Sequence, residues 1–321
     1  MSIFRSTYKD VASTVLENDF LRVEVIECQG GHIASLYDKS EKRELLWQNR
    51  EKTYKLSKAF DNFDLGECAG IDDMFPTAAR AVIAHGKYAG VSLPDHGELW
   101  TLCCKGFEQR ENKIKMEFRG ECLPYKLTKT ISLEEQALRV DYTIQNLSNS
   151  AFDFIWAAHP LFDASYFDMI SVPDMSNTVT IPFSIGTSCE PGVEYAYPIT
   201  RLPDGAIIDF RTIPPSNKNL GYKFMASQPL REGRCEIFNS KSGYGIEVVF
   251  PTEKIPYIGV WTFAGQEEPH VVAPEPSTAR SVYYNEKSLY DTGTVEASKE
   301  FCWWLEYRIK NKLSKKREEE I

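Results

Sequence analysis

The sequence has no run of about 18 apolar residues, so it offers no helix that could cross a bilayer. Its first ten residues, Met1 to Asp10, are polar and lack the apolar core of a secretory signal peptide. Positive charge is in deficit, 37 Lys and Arg against 46 Asp and Glu, for a net charge of −9. An acidic surface repels phosphate backbones and anionic lipids, which argues against nucleic acid and membranes as partners. The eight cysteines are scattered, with no C-x-x-C pair and no His/Cys cluster at zinc spacing. Cys103 and Cys104 are adjacent, and on a strand they would point to opposite faces, a poor metal claw. Buried reduced thiols in a cytoplasmic protein are the expectation. Low-complexity segments, internal repeats and shifts of composition that would mark a linker are also missing.

What is present is ordinary globular material, 42% hydrophobic and 26% charged over 321 residues. Length alone would suggest about two domains, but all-β chains of this size often form one. The periodicity is that of strands. Leu138, Val140, Tyr142 and Ile144 alternate with Arg139, Asp141, Thr143 and Gln145, which turns one face inward. A polar turn at Asn146–Asn149 precedes an apolar strand over Phe152–Trp156. The same grammar recurs at Leu21–Cys28, at His32–Tyr37 after a Gln29-Gly30-Gly31 turn, and at Lys113–Arg119, Tyr244–Phe250, Tyr257–Phe263 and Cys302–Ile309. Amphipathic helical windows are few. The pattern predicts an all-β fold, a large antiparallel β-sandwich, as a single domain over 1–310 with a charged C-terminal tail over 311–321. A monomer or homodimer is expected.

Only five histidines occur, His32, His85, His96, His159 and His270. His96 stands in Leu93-Pro94-Asp95-His96-Gly97-Glu98-Leu99-Trp100, an imidazole among two carboxylates and an indole. His159 ends an apolar strand before Pro160, the rim position from which a concave site is built. Glu275 closes another apolar strand between Pro274 and Pro276, whose rigid backbones fix its position. Trp100, Trp156 and Trp261 lie near these places, and aromatic faces suit sugars as well as cores. Taken singly, each has a structural explanation: a satisfied histidine, a Pro-Glu-Pro loop, core tryptophans.

A resemblance joins them. Leu123-Pro124-Tyr125-Lys126-Leu127-Thr128-Lys129-Thr130-Ile131-Ser132-Leu133, then Leu138–Asn146, then Trp156–Pro160, is similar to the central stretch of the galactose mutarotase-like family. His96-Gly97 resembles that family's first His-Gly motif, and Pro76-Thr77-Ala78-Ala79-Arg80 its arginine-bearing motif. Glu275 holds the late position of the family's glutamate, and Asp209-Phe210-Arg211 resembles its Asp-Phe-Arg. Order and spacing agree from about Val15 to Ile309. The chain departs from the pattern at Ala79, where the family has Asn, and in Ala158-His159-Pro160-Leu161-Phe162; Gly70–Pro76 is similar to a divergent branch.

The resemblance implies a mutarotase-like sandwich and an aldose 1-epimerase, interconverting α and β anomers of an aldose. It implies Glu275 as base and His159 as acid, with His96 holding the ring oxygen or sharing the acid role. Arg80 and Asp209 would hold ring hydroxyls and Trp100 would stack on the sugar. The reaction calls for no metal or redox cofactor. Rival readings are a glycoside hydrolase using Glu98 and Glu275, whose carboxyls would need to stand about 5 to 10 Å apart, and a non-catalytic carbohydrate-binding or regulatory protein on the same fold. A sugar phosphate substrate would call for a basic cluster, for which Lys87, Lys105 and Arg211 are candidates.

Overall fold

A computed structural model describes residues 1–216, 218–265, 269–284 and 292–311. The charged tail expected over 311–321 lies, beyond Asn311, outside the described residues. The described strands form a thirteen-stranded sheet, an eight-stranded sheet and three two-stranded ribbons, all antiparallel apart from one isolated parallel bridge between Phe75 and Gly97. Helical structure among the described residues is confined to three 3₁₀ turns, Phe63–Leu65, Leu99–Thr101 and Ala164–Tyr166. This is the all-β sandwich that the alternating sequence pattern predicts.

The period-two reading is clearest at Ala137–Asn146, where even-numbered residues are buried and odd-numbered ones are partly exposed. Its partner strand Glu300–Lys310 repeats the alternation, so Tyr142 stacks flat on Trp303 with ring centroids 4.9 Å apart. Trp156 closes the same cluster at 5.1 Å from Tyr142. One continuous core takes side chains from both large sheets, from Leu16 near one end of the chain to Ile309 near the other. Each fully buried Leu, Ile, Val or Phe there contributes roughly 1.5–3 kcal/mol.

A buried ion pair ties the two sheets together. Lys129, on the strand Tyr125–Glu134 of the eight-stranded sheet, reaches Asp73 on Ile71–Met74 of the larger one at 2.7 Å. Tyr142 donates to the other Asp73 oxygen at 2.8 Å, and Lys129 also donates to the Gly31 carbonyl at 2.8 Å. Both charges are thereby paired and hydrogen-bonded, the condition for burying them. The alternation along Ile71–Met74 then sends Asp72 to the opposite, outer face of the large sheet.

One local expectation is corrected. Cys103 and Cys104 do not lie on a strand but in the loop between the 3₁₀ turn Leu99–Thr101 and the strand Gly106–Arg110. The tight turn at Leu99–Thr101, closed by the Leu102 N–H on the Leu99 carbonyl, takes the chain out of extended geometry there. All eight cysteines are free thiols.

Candidate active site

The outer face of the large sheet carries a single row of functional side chains, set by strand register. On Ala157–Pro160, His159 pairs with Asp72. The pairs Ala157–Ser277 and Phe162–Val272 share one register, which sets His159 opposite Glu275 on His270–Ser277. Glu275 pairs with Gly259 on Tyr257–Ala264, and Gly259 pairs with Met225 on Leu220–Ala226. Directly opposed residues of antiparallel strands share a face. Asp72, His159, Glu275, Gly259 and Met225 therefore line up straight across five neighbouring strands. The row begins one strand further out at His32, whose Nδ1 lies 2.8 Å from an Asp72 oxygen.

Lys223 shares that face, two residues from Met225. Its side chain runs over Gly259 and forms an ion pair with Glu275. Gly259 makes this crossing possible: a Cβ there would stand 2.5 Å from the Met225 sulfur and 3.2 Å from Lys223 Cε. Met225 also lines a cleft of about 350 Å³, together with Thr180, Glu194, Arg280 and Tyr283.

His96 comes to the same place from a loop. Its backbone is left-handed, φ 58°, and Gly97 follows at φ 72°. A Cβ on Gly97 would fall 2.2 Å from the Phe75 carbonyl oxygen, so the turn needs glycine for contact as well as for conformation. Glu98 and Leu99 both donate their N–H to that carbonyl, at 2.8 and 3.1 Å, and hold the turn against the sheet. The two imidazoles meet with ring centroids 5.3 Å apart. Phe63 lies against both, stacked on His96 at 4.0 Å and edge-on to His159 at 5.1 Å. Asn62 caps the short turn that presents it, accepting from the Asp64 N–H.

Charge is distributed unevenly over these groups. Burial pushes the Glu275 carboxyl above the usual carboxylate range, while Lys223 and His96 pull it back down. Burial holds the His159 imidazole well below its ordinary value, and the neighbouring His96 and Lys223 push it further the same way. His159 is therefore neutral around pH 7. Its Nδ1 is buried with no hydrogen-bond partner among the described residues. His96 differs: its Nδ1 lies 2.9 Å from Asp95, whose carboxyl is lowered chiefly by that bond. With Nδ1 donating to Asp95, the basic lone pair of a neutral His96 ring sits at Nε2.

The structure thus brings together Glu275, His159 and His96, three residues that the sequence singles out. Arg80 is exposed on the loop beside them, its backbone N–H serving the Asp95 carboxylate. Asp209 is engaged in a local ion pair, and Trp100 is placed otherwise than expected. Asp209 is paired with Arg211 at 2.7 Å on a separate two-stranded ribbon. Trp100 is buried behind Phe63, its indole donating to the Gly97 carbonyl at 2.9 Å, so its ring braces the His96 turn and offers no open face. Partly exposed aromatics on the Glu275 face are Trp261, which pairs with Ala273 and Lys223, and Phe263 stacked on it.

Glu98 is fully buried, and one of its oxygens accepts from the N–H groups of Glu121 and Cys122, at 3.0 and 2.9 Å. It anchors a loop, and the paired-carboxylate arrangement of a glycoside hydrolase loses its second member. The basic residues considered for a phosphate are also occupied or distant. Arg211 holds Asp209, Lys87 donates to Asn149 at 2.8 Å, and Lys105 lines a groove with Arg5 and Glu27. Among the described residues no three His, Cys, Asp or Glu side chains are grouped as ligands for an ion.

Lys223 and Phe63 were not singled out from the sequence. Lys223 had a signal: it is the one charge inside Leu220-Gly221-Tyr222-Lys223-Phe224-Met225-Ala226, and a charge in an apolar strand needs a partner. Phe63 had none, because its place depends on how the irregular stretch before Ile71–Met74 folds over the sheet.

No protein-family model and no curated protein matches this sequence. Solved structures do match in fold. A protein from Synechocystis sp. PCC 6803 is 19% identical over 96% of this chain and 100% of its own, with a TM-score of 0.67. A galactose mutarotase related enzyme from Lactobacillus acidophilus is 16% identical, with 93% and 97% covered and a TM-score of 0.64. A galactose mutarotase-like protein from Clostridium acetobutylicum is 14% identical, with 97% and 98% covered and a TM-score of 0.63. The chain has the galactose mutarotase-like fold over essentially its whole length, in a sequence far diverged from these structures.

Proposed function

We propose that the protein is an aldose 1-epimerase, which opens and recloses the hemiacetal ring of an aldose by acid–base catalysis. The observation that carries this reading is the meeting of Glu275, His159 and His96 on one face, from chain segments more than sixty residues apart. Mutarotation needs a base for the C1 hydroxyl proton and an acid for the ring oxygen. Glu275, ionised beside Lys223, is the base. After rotation about the C1–C2 bond the groups exchange roles, and the ring closes on its other face.

The division of labour between the imidazoles differs from the one the resemblance implies. A buried histidine next to a lysine is a poor holder of a proton, so His159 serves as a neutral hydrogen-bonding group toward the sugar. The acid is His96, oriented through Nδ1 by Asp95 and presenting Nε2 to the ring oxygen. Arg80 at the rim and Trp261 on the sheet face are the groups to hold hydroxyls and the apolar face of the ring. Lys223, the cation beside Glu275, is neutralised by that carboxylate, and Arg211 by Asp209.

Positioned acid–base groups each contribute typically 10² to 10⁴ in rate. The test follows the α and β anomeric proton signals of freshly dissolved galactose and glucose by NMR, with and without protein. Faster exchange, lost in His96→Gln, supports the reading. Sugar binding without faster exchange for any aldose moves the protein to a non-catalytic carbohydrate binder.

A further inference from the structure

We infer that Lys223 is a positioning residue of this site: laid across Gly259, its ammonium is the fixed counter-charge that keeps Glu275 a carboxylate and aims it at the substrate. The inference rests on the proposed epimerase reading for its catalytic consequence, but not for its electrostatics.

A carboxyl group as buried as Glu275, 2% exposed, would take up a proton unless something compensates its charge. The groups that face it can be named. From the Leu220–Ala226 strand comes Lys223, from the Asp95–Gly97 loop His96, and from Ala157–Pro160 His159, with Asp72 next in the row. Of these only Lys223 bonds Glu275 directly. The same ammonium disfavours a proton on His159. Burial is the larger influence on both groups; the lysine opposes it at Glu275 and adds to it at His159.

The architecture is built for this contact. Lys223 and Glu275 stand on strands separated by Tyr257–Ala264, and a Cβ at position 259 would press on the Met225 sulfur and the Lys223 stem that cross there. Glycine at that one register position leaves the lysine stem a channel across the sheet. Cε lies over the glycine, and the ammonium bonded to it meets the carboxylate. A lysine held only for packing would need no such opening.

Removing the ammonium has a signed consequence. Without it, burial acts on Glu275 with little opposition, and the carboxyl holds its proton to higher pH. An opposite charge at contact distance is worth about 1–3 pH units. The acidic limb of the turnover profile, where the base must be ionised, then moves up by that amount in Lys223→Met. Turnover falls about tenfold or more at the acidic end and recovers as the pH is raised. Lys223→Arg keeps the charge and stays near the parent profile.

The experiment has two readouts on the full-length protein. The Glu275 carboxyl is titrated by carbon-13 NMR of protein labelled at the glutamate carboxyl, its signal assigned by its disappearance in Glu275→Gln. Anomer exchange is followed across the same pH range. Expected is an upward move of both the carboxyl titration and the acidic limb in Lys223→Met, absent in Lys223→Arg. Gly259→Ala, which keeps the charge but crowds its path, should give the same move in smaller measure and serves if Lys223→Met does not fold. A carboxyl titration that stays in place in the lysine and glycine variants overturns the inference. A titration that moves while even the parent protein leaves anomer exchange unaltered refutes the epimerase reading and leaves the Lys223–Glu275 coupling standing.

Discussion

Replacing Gly97 with alanine probes the turn on which His96 depends. Two costs add. A residue with a Cβ in the left-handed region loses roughly 1–2 kcal/mol, and Gly97 sits there with φ 72°. The new Cβ would also lie 2.2, 2.3 and 2.6 Å from the oxygen, carbonyl carbon and nitrogen of Phe75, all backbone atoms that cannot swing aside. Relieving the clash pulls the Glu98 and Leu99 N–H groups from the Phe75 carbonyl, two hydrogen bonds worth about 1 kcal/mol net apiece. The total is about 3–4 kcal/mol, a large part of a typical folding stability of about 5–15 kcal/mol. At roughly 2 °C per kcal/mol for a chain of this size, the melting temperature should drop by roughly 6–8 °C. Gly90 supplies the control. Its φ is 89° but nothing lies within 4 Å of an added Cβ, so alanine there carries the conformational cost alone. Calorimetric melts of both variants, with anomer exchange measured alongside, check the reasoning. Gly97→Ala should be the less stable by several degrees and should lose activity further than Gly90→Ala. Equal melting temperatures with unchanged exchange would refute the claim that Phe75 anchors the His96 turn.

Other expectations follow from burial and charge. His159 is neutral when folded and has a reference value of about 6.5 when unfolded. Below that value the unfolded chain binds the extra proton, so His159 makes stability fall with acidification by up to about 1.4 kcal/mol per pH unit; denaturant melts at pH 7.5 and 5.5 should show the fall shrinking in His159→Gln. Lys129→Met leaves Asp73 charged and buried between the sheets, and a cost of about 3–5 kcal/mol is expected in urea titrations; a change below 1 kcal/mol would contradict the pinning role. Phe63→Ala removes the ring wedged against both imidazoles and should cost about 3–5 kcal/mol with a clear loss of turnover, read by calorimetry and anomer exchange.

The fold was legible because the sequence writes its alternation plainly. Over 138–145 and in Lys113–Arg119 every second residue is apolar, and that period has one physical meaning. Glu275, His159 and His96 were legible by a different route, through motif order, since nothing in their own surroundings decides between core and site. What the sequence concealed lies in three dimensions. The register that lines His32, Asp72, His159, Glu275 and Gly259 into one row joins strands far apart in the chain. Lys223 reaches the site across the bare position 259, on a strand far from Glu275 in the chain. Trp100 read as a stacking surface because the short 3₁₀ turn that buries it has no signature of its own.

The most direct measurement of the central claim is the rate of anomer exchange of an aldose in the presence of Glu275→Gln, a change that keeps the shape of the side chain and removes the base. The account expects the parent protein to accelerate exchange and the folded variant to lose a factor of about 10² to 10⁴. A folded variant that exchanges anomers as fast as the parent would contradict it.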